Sequence, residues 1–206
     1  MADQLTFYTN PMSRGRIVRW MLEEVGAPYE TVLLDYASTM KAPDYLAINP
    51  MGKVPAIKHG ATIVTEGAAI CAYLADAFPE AGLAPPVGSK DRGPYYRWLF
   101  FAAGPLEAVT TNKAMNVEVP DERRPMVGYG TLDATADALN ELVGANEYIA
   151  GGKFSAADVF VGSHIGWGTQ FGTLPKRPNF DAYLARIMGR PAAVKAREID
   201  DKAMAA

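Results

Sequence analysis

Strand-forming signals in this chain end at Val64, and that asymmetry limits the fold more than any composition figure does. Leu5-Thr6-Phe7-Tyr8, Tyr29 to Leu34, Val54 to Ile57 and Thr62 to Val64 are β-prone runs. Between the first two, Ser13 opens a helix with Ile17, Val18, Met21, Leu22 and Val25 at helical spacing, and Gly26 ends it. Lys41 to Ile48 reads as a short irregular helix, and Ala68 to Leu74 as a further helix after the last strand. The segment Gly82 to Gly88, GLAPPVG, then breaks the pattern. Beyond it Lys90 to Met115, Val119 to Val143, Ser155 to Trp167 and Pro178 to Met188 read as helices, with a short helix after Pro191.

The order β-α-β-α-β-β-α is that of a thioredoxin-like domain, and its strand-helix-strand unit implies a right-handed crossover. The expected architecture is an α/β thioredoxin-like domain over residues 1–82, a linker over 83–89, and an all-helical domain over 90–206. In the second half, Ser155-Ala156-Ala157-Asp158 fits a capping box with Asp replacing the usual Glu, a folding signal and not a chemical one.

Function concentrates in Asn49 to Leu74, NPMGKVPAIKHGATIVTEGAAICAYL. Two β-prone runs flank Lys58-His59-Gly60-Ala61, which predicts an antiparallel hairpin with Gly60 in its turn and His59 in an exposed turn. Pro55 cannot donate to a ladder, so it marks the bend into the strand. A cis Val54-Pro55 bond aims the Val54 amide and carbonyl outward, ready to pair with an extended peptide. Thr65-Glu66-Gly67 leads into a helix whose first amides and dipole favour a carboxylate. The combination suits a small anionic peptide.

The blocks NP-x-G-K-VP-x-I and TE-x-x-AI-x-x-YL, in this order and with a short hairpin between them, resemble the glutathione-binding half of cytosolic glutathione transferases. The similar layout extends over nearly the whole chain. The resemblance implies the glutathione transferase fold, glutathione as co-substrate without a metal, and conjugation of its thiolate to a small hydrophobic electrophile in detoxification. It implies that Val54, before the cis Pro55, pairs with the cysteinyl backbone, and that Glu66 holds the γ-glutamyl end. Gly67 stands where the family usually has serine, so the amide survives but the hydroxyl contact does not. A Lys or Gln is usual beside the valine, which gives Lys53 the glycyl carboxylate. A homodimer is a further implication.

Composition supports this by exclusion. A net charge of −3 and a pI near 5.4 give no basic block for nucleic acid. No apolar run approaches the roughly 20 residues a membrane span needs, and the first residues lack a secretory signal pattern, so a cytoplasmic protein is expected. The single Cys71, at core spacing in its helix, offers neither a disulfide nor a dithiol pair. The two histidines, His59 and His164, are too far apart in sequence to suggest a metal centre.

A thiol with a pKa near 8.5 is mostly protonated at neutral pH, and lowering that value by two units takes about 2.7 kcal/mol of preference for the thiolate. Ser13, at the start of the first helix, is placed to donate to it, and ungapped alignment of YTNPMS puts it where beta-class bacterial enzymes have cysteine. Tyr8, near the end of the first strand, is the rival, because Arg14-Gly15-Arg16 echoes tyrosine-type enzymes. Thr9 and Asn10 are further polar candidates in the loop, and Arg14 or Arg16 could add positive potential. For the electrophile, Trp98 and Phe101 on the Tyr95 to Phe101 segment are the pocket candidates, ahead of Trp167 and Phe171. Two other functions fit the same layout, a glutathione-dependent thiol-disulfide reductase and a non-catalytic interaction protein. The reaction subtype, whether conjugation, dehalogenation, ether cleavage, isomerisation or peroxide reduction, is not written in these residues.

Overall fold

The structure is a computed structural model that describes residues 3–205. By internal contacts the chain divides into two units, Met1–Leu83 with Arg190–Ala206, and Ala84–Gly189.

In the first unit β1 (Leu5–Thr9), α1 (Gly15–Val25), β2 (Glu30–Leu33), α2 (Pro43–Leu46), β3 (Ala56–His59), β4 (Thr62–Thr65) and α3 (Gly67–Ala77) follow one another as the periodicities predict. The sheet order is β2-β1-β3-β4, with β1 parallel to β2 and antiparallel to β3, and β3 antiparallel to β4. This is a thioredoxin-like arrangement. Leu5, Phe7 and Ile57 from the strands meet Ile17, Met21 and Leu22 of α1 and Ile70 and Leu74 of α3 in a fully buried core. Val54-Pro55 is cis, and Gly60 sits in the hairpin turn at φ 57°. His59 is not in the turn: it ends β3, stacks on Phe78 at 5.4 Å and pairs with the Tyr73 hydroxyl at 3.0 Å. The hairpin needs only two turn residues, so the strand keeps its histidine.

The last helix, α9 (Pro191–Met204), belongs to this unit although the sequence placed it with the helical domain. It is also 14 residues long, not short. Charge explains its position. Arg190 forks onto Glu24 at 2.7 and 2.8 Å, Lys195 meets Glu23 at 2.6 Å, and Asp200 meets Arg19 at 3.2 Å. Arg19 and Asp200 are both buried. Arg19 also donates to the Tyr29 hydroxyl and Thr31, and lies 4.9 Å from the Phe7 ring centre. These partners satisfy a guanidinium that would otherwise be costly to bury.

The second unit is helical: α4 (Arg92–Phe101), α5 (Glu107–Ala114), α6 (Leu132–Ala145), α7 (Ala156–Gln170) and α8 (Pro178–Met188). Where a continuous helix was expected over 90–115, a π-helical segment, Ala102–Leu106, joins α4 to α5. Pro105 lies inside it and cannot donate the regular i to i−4 bond. The helix expected over 119–143 begins only at Leu132. Asp121–Met126 is a 3-10 turn containing Pro125, and Gly130 takes φ 65°. The Ser155–Asp158 capping box is formed, and the buried Asp158 carboxylate also accepts from the Ile149 amide and the Tyr183 hydroxyl, each at 2.9 Å. Burial pushes that carboxyl above its usual range against the pull of its donors. His164 packs within α7, its Nδ1 at 2.9 Å from the Phe160 carbonyl. No helix among the described residues is long and apolar enough to cross a membrane.

Candidate functional site

Strand register brings the candidate residues of the first unit to one end of the sheet. Tyr8 pairs with Ala56, Ala56 with Thr65, and Thr9 with Leu33. The residues just beyond those rungs are therefore neighbours: the β1–α1 loop, Val54-Pro55 ahead of β3, and Glu66-Gly67 after β4.

The β1–α1 loop is closed by its own groups. The Asn10 side-chain amide donates to the Leu34 carbonyl at 2.8 Å, and its oxygen accepts from the Met12 amide at 2.9 Å. Ser13 uses both functions of its hydroxyl. It donates to the Asn10 carbonyl at 2.6 Å and accepts from the Gly15 amide at 2.9 Å. The helix cap is Arg14, so Ser13 stands one residue before the cap position expected for it. Gly15 is required here, because a Cβ would lie 1.9 Å from Oγ1 of the buried Thr9. The rival Tyr8 is half-buried. Its ring lies 5.6 Å from that of Tyr45, against a cluster of Leu34, Met40, Tyr45 and Ala56. Tyr8 contributes to that packing.

The loop before the cis proline is held by three residues that sequence reasoning did not assign. The Tyr45 hydroxyl and the Asn49 side chain both donate to the Lys53 carbonyl, at 2.5 and 2.8 Å. Asn49 also accepts from the Met51 amide at 3.1 Å. Lys41 Nζ donates to the Met51 and Gly52 carbonyls at 3.2 and 2.7 Å. Gly52, at φ 56°, admits that approach, since a Cβ would lie 2.8 Å from Lys41 Nζ. Asn49 heads the NPMGKVP block, so a buried Asx turn was its available signal; Lys41 gave none, because its partners are main-chain atoms. These bonds leave the Lys53 side chain exposed, and among the described residues no group hydrogen-bonds the Val54 amide or carbonyl. Burial pushes the Tyr45 hydroxyl up to about 12, which keeps it a donor.

At the start of α3, Glu66 is exposed and holds φ 67°, a left-handed conformation that glycine favours. No side chain caps this helix. The first-turn amides of Gly67, Ala68 and Ala69 have no intrahelical acceptor, and the macrodipole adds to their pull on an anion. Cys71 is fully buried and its thiol is pushed up by that burial.

In the second unit Trp98 and Phe101 meet edge to face, 5.0 Å between centroids. Trp98 lines a cavity of about 380 Å³ with Pro94, Arg97, Leu142 and Ile149; Phe101 does not line it. Trp167 is half-buried, whereas Phe171 is exposed.

A thioredoxin-like unit that gathers open main-chain groups and a helix N-terminus at one sheet end, joined to a helical unit, defines a class of small-peptide-binding proteins. Comparison with known proteins narrows it. A family profile described as "Glutathione S-transferase, N-terminal domain" matches residues 12–77. The chain is 30% identical to glutathione S-transferase GstA of Escherichia coli O157:H7 over 174 residues, 82% of this chain and 86% of that one. Among solved structures, a glutathione transferase from Methylococcus capsulatus superposes with a TM-score of 0.80 at 28% identity, over 96% of this chain and 99% of that one. A sphingomonad glutathione S-transferase complexed with glutathione gives 0.75 at 29% identity, over 95% and 98%. The chain belongs to the glutathione S-transferase family and is an enzyme of that family.

Proposed function

We propose that this enzyme binds glutathione at the end of the sheet, ionises its thiol and joins the sulfur to a small hydrophobic electrophile. One observation carries the reading: the open Val54 main chain, the uncapped first turn of α3 and the Ser13 hydroxyl lie on adjacent connections of one sheet end. An extended tripeptide fits these groups by chemistry. Val54 offers a donor and an acceptor to the cysteinyl backbone, with Pro55 fixing the bend. Glu66 takes the γ-glutamyl amine, and the Gly67 amide takes its carboxylate. Lys53, with Lys41 behind it, adds positive charge for the glycyl carboxylate. The thiol proton leaves to solvent, the sulfur lone pair forms the S–C bond, and the electrophile either loses its leaving group or takes up a proton.

The enzyme acts in this reading as a cytoplasmic homodimer in detoxification, with Trp98 and Phe101 on the electrophile side. The large exposed side chains Met51 and Phe100 support association. Burial of the sole cysteine favours transfer over thiol-disulfide reduction. A second reading, glutathione binding without ionisation, has one observation in its favour, the commitment of the Ser13 hydroxyl hydrogen to the Asn10 carbonyl.

Calorimetric titration with glutathione and with cysteinylglycine tests the assignment. Glutathione is expected to bind and cysteinylglycine to bind far more weakly, and a chloronitrobenzene is expected to be conjugated. Equal binding of the two peptides refutes the α3 assignment, and binding without conjugation selects the second reading.

A further inference from the structure

One contact of the β1–α1 loop leads out of it to α9. The Pro11 carbonyl accepts from Arg16 Nε at 2.7 Å, and Nη2 of the same guanidinium pairs with the Asp201 carboxylate and lies 3.7 Å from the Met204 sulfur. A guanidinium is a rigid planar fork, so fixing Nη2 from one side fixes the direction of Nε on the other. Without a partner, a side chain that is 25% exposed regains its rotamers. Pro11 and the exposed Met12 form the apex of the loop, and Ser13 follows directly. Three further pairs join the two segments at later positions in α1 and earlier positions around α9: Glu24 with Arg190, Glu23 with Lys195, and the buried Arg19 with Asp200. Those three hold the helix in place without Asp201, so its carboxylate is free to serve the loop.

We propose that Asp201 is a positioning residue of the thiol site, acting through Arg16 on the Pro11 carbonyl to hold the loop that carries Ser13. The inference rests on the transferase reading above for its effect on turnover, but not for its effect on the loop. The link also has an electrostatic rival. If Arg16 acted on the thiolate as a bare charge, Asp201 would weaken it, and removing Asp201 would ease ionisation. Positioning predicts the reverse sign.

The test uses the full chain with Asp201→Asn, Asp201→Glu and Arg16→Lys. Hydrogen exchange at the Met12 and Ser13 amides, whose acceptors are Asn10 Oδ1 and the Asn10 carbonyl, reads the loop without any substrate. The pH profile of kcat and the KM for glutathione read the chemistry. Asp201→Asn and Arg16→Lys should accelerate exchange at both amides and lower kcat about threefold, the scale of a half-exposed ion pair. The acid limb of kcat should move up by about half a unit while KM holds, since one tenfold rate change corresponds to one pH unit. Asp201→Glu should restore exchange and kcat, and the Asp201→Asn/Arg16→Lys double variant should lose no more than either single one. Unchanged exchange overturns the link to the loop. Faster exchange with an acid limb that stays or moves down overturns its catalytic consequence. If the unaltered protein neither binds nor conjugates glutathione, the transferase reading fails, and exchange alone decides whether Asp201 holds the loop.

Discussion

Ser13→Ala separates the amount of thiol activation this serine supplies from the amount the enzyme needs. The hydroxyl already donates to the Asn10 carbonyl, so turning it towards a thiolate exchanges one bond for another and does not add one. A neutral hydrogen bond contributes about 1 kcal/mol net and one to a charged group about 2, so the exchange favours the thiolate by about 1 kcal/mol. At 1.36 kcal/mol per unit this lowers the bound thiol by about 0.7 unit. A two-unit lowering therefore needs a second source of comparable or greater size among the loop and helix groups. In Ser13→Ala the bound thiol should titrate about 0.7 unit higher, with turnover down about fivefold well below that pKa and about twofold near neutrality. Glutathione affinity should hardly change. The fold should lose about 1 kcal/mol, because the buried Gly15 amide loses its acceptor. Thiolate absorbance of bound glutathione against pH, with urea unfolding of both proteins, measures each quantity. A shift of two units or more would mean that the hydroxyl carries the whole activation and that its bond to Asn10 does not oppose it. No shift would reduce Ser13 to a structural residue.

Three further perturbations have equally definite outcomes. Gly15→Ala forces a methyl group to 1.9 Å from Thr9 Oγ1 and should cost about 1–3 kcal/mol in urea unfolding, so an unchanged midpoint contradicts the close approach. Glu66→Gly removes the cost of holding a residue with a Cβ at positive φ and should raise stability by about 1 kcal/mol while weakening glutathione at least about tenfold, and a loss of both together would contradict the split between strain and binding. Burial pushes Tyr45 and Tyr29 each up to about 12, against about 10 when unfolded. Their protonated forms are favoured in the fold, so the stability they contribute is whole below pH 10 and is lost as pH rises from 10 through 12. Urea midpoints across that range should fall, and less steeply in Tyr45→Phe; parallel curves would contradict the assignment.

Much of this architecture is written in short stretches of the sequence. The alternation in β1 to β4, the helical spacing in α1, the Gly60 turn and the Ser155–Asp158 box each involve groups within a few residues, where local geometry fixes which atoms can meet. The same holds for the order of Val54-Pro55 and Glu66-Gly67, and once the strands pair, register carries both to one end. Where a proline fell inside a helical pattern, as at Pro105 and Pro125, periodicity overstated the helix because it counts apolar positions and not missing donors.

Tertiary structure decided which groups are already engaged. No local signal reveals that Tyr8 packs on Tyr45, or that Lys41 spans to the carbonyls of Met51 and Gly52. Arg16 and Asp201 are 185 residues apart in sequence, and Arg19 and Asp200 are 181 apart. Charges at that separation look alike whether solvated or paired, because a charge pair depends on distance in space and leaves no periodic trace along the chain. The sequence by itself therefore determined the elements, the family layout and the groups that could meet a peptide. Only the fold determined that α9 returns to α1, which residues hold the site loops, and which donors a bound thiol would have to win from existing partners.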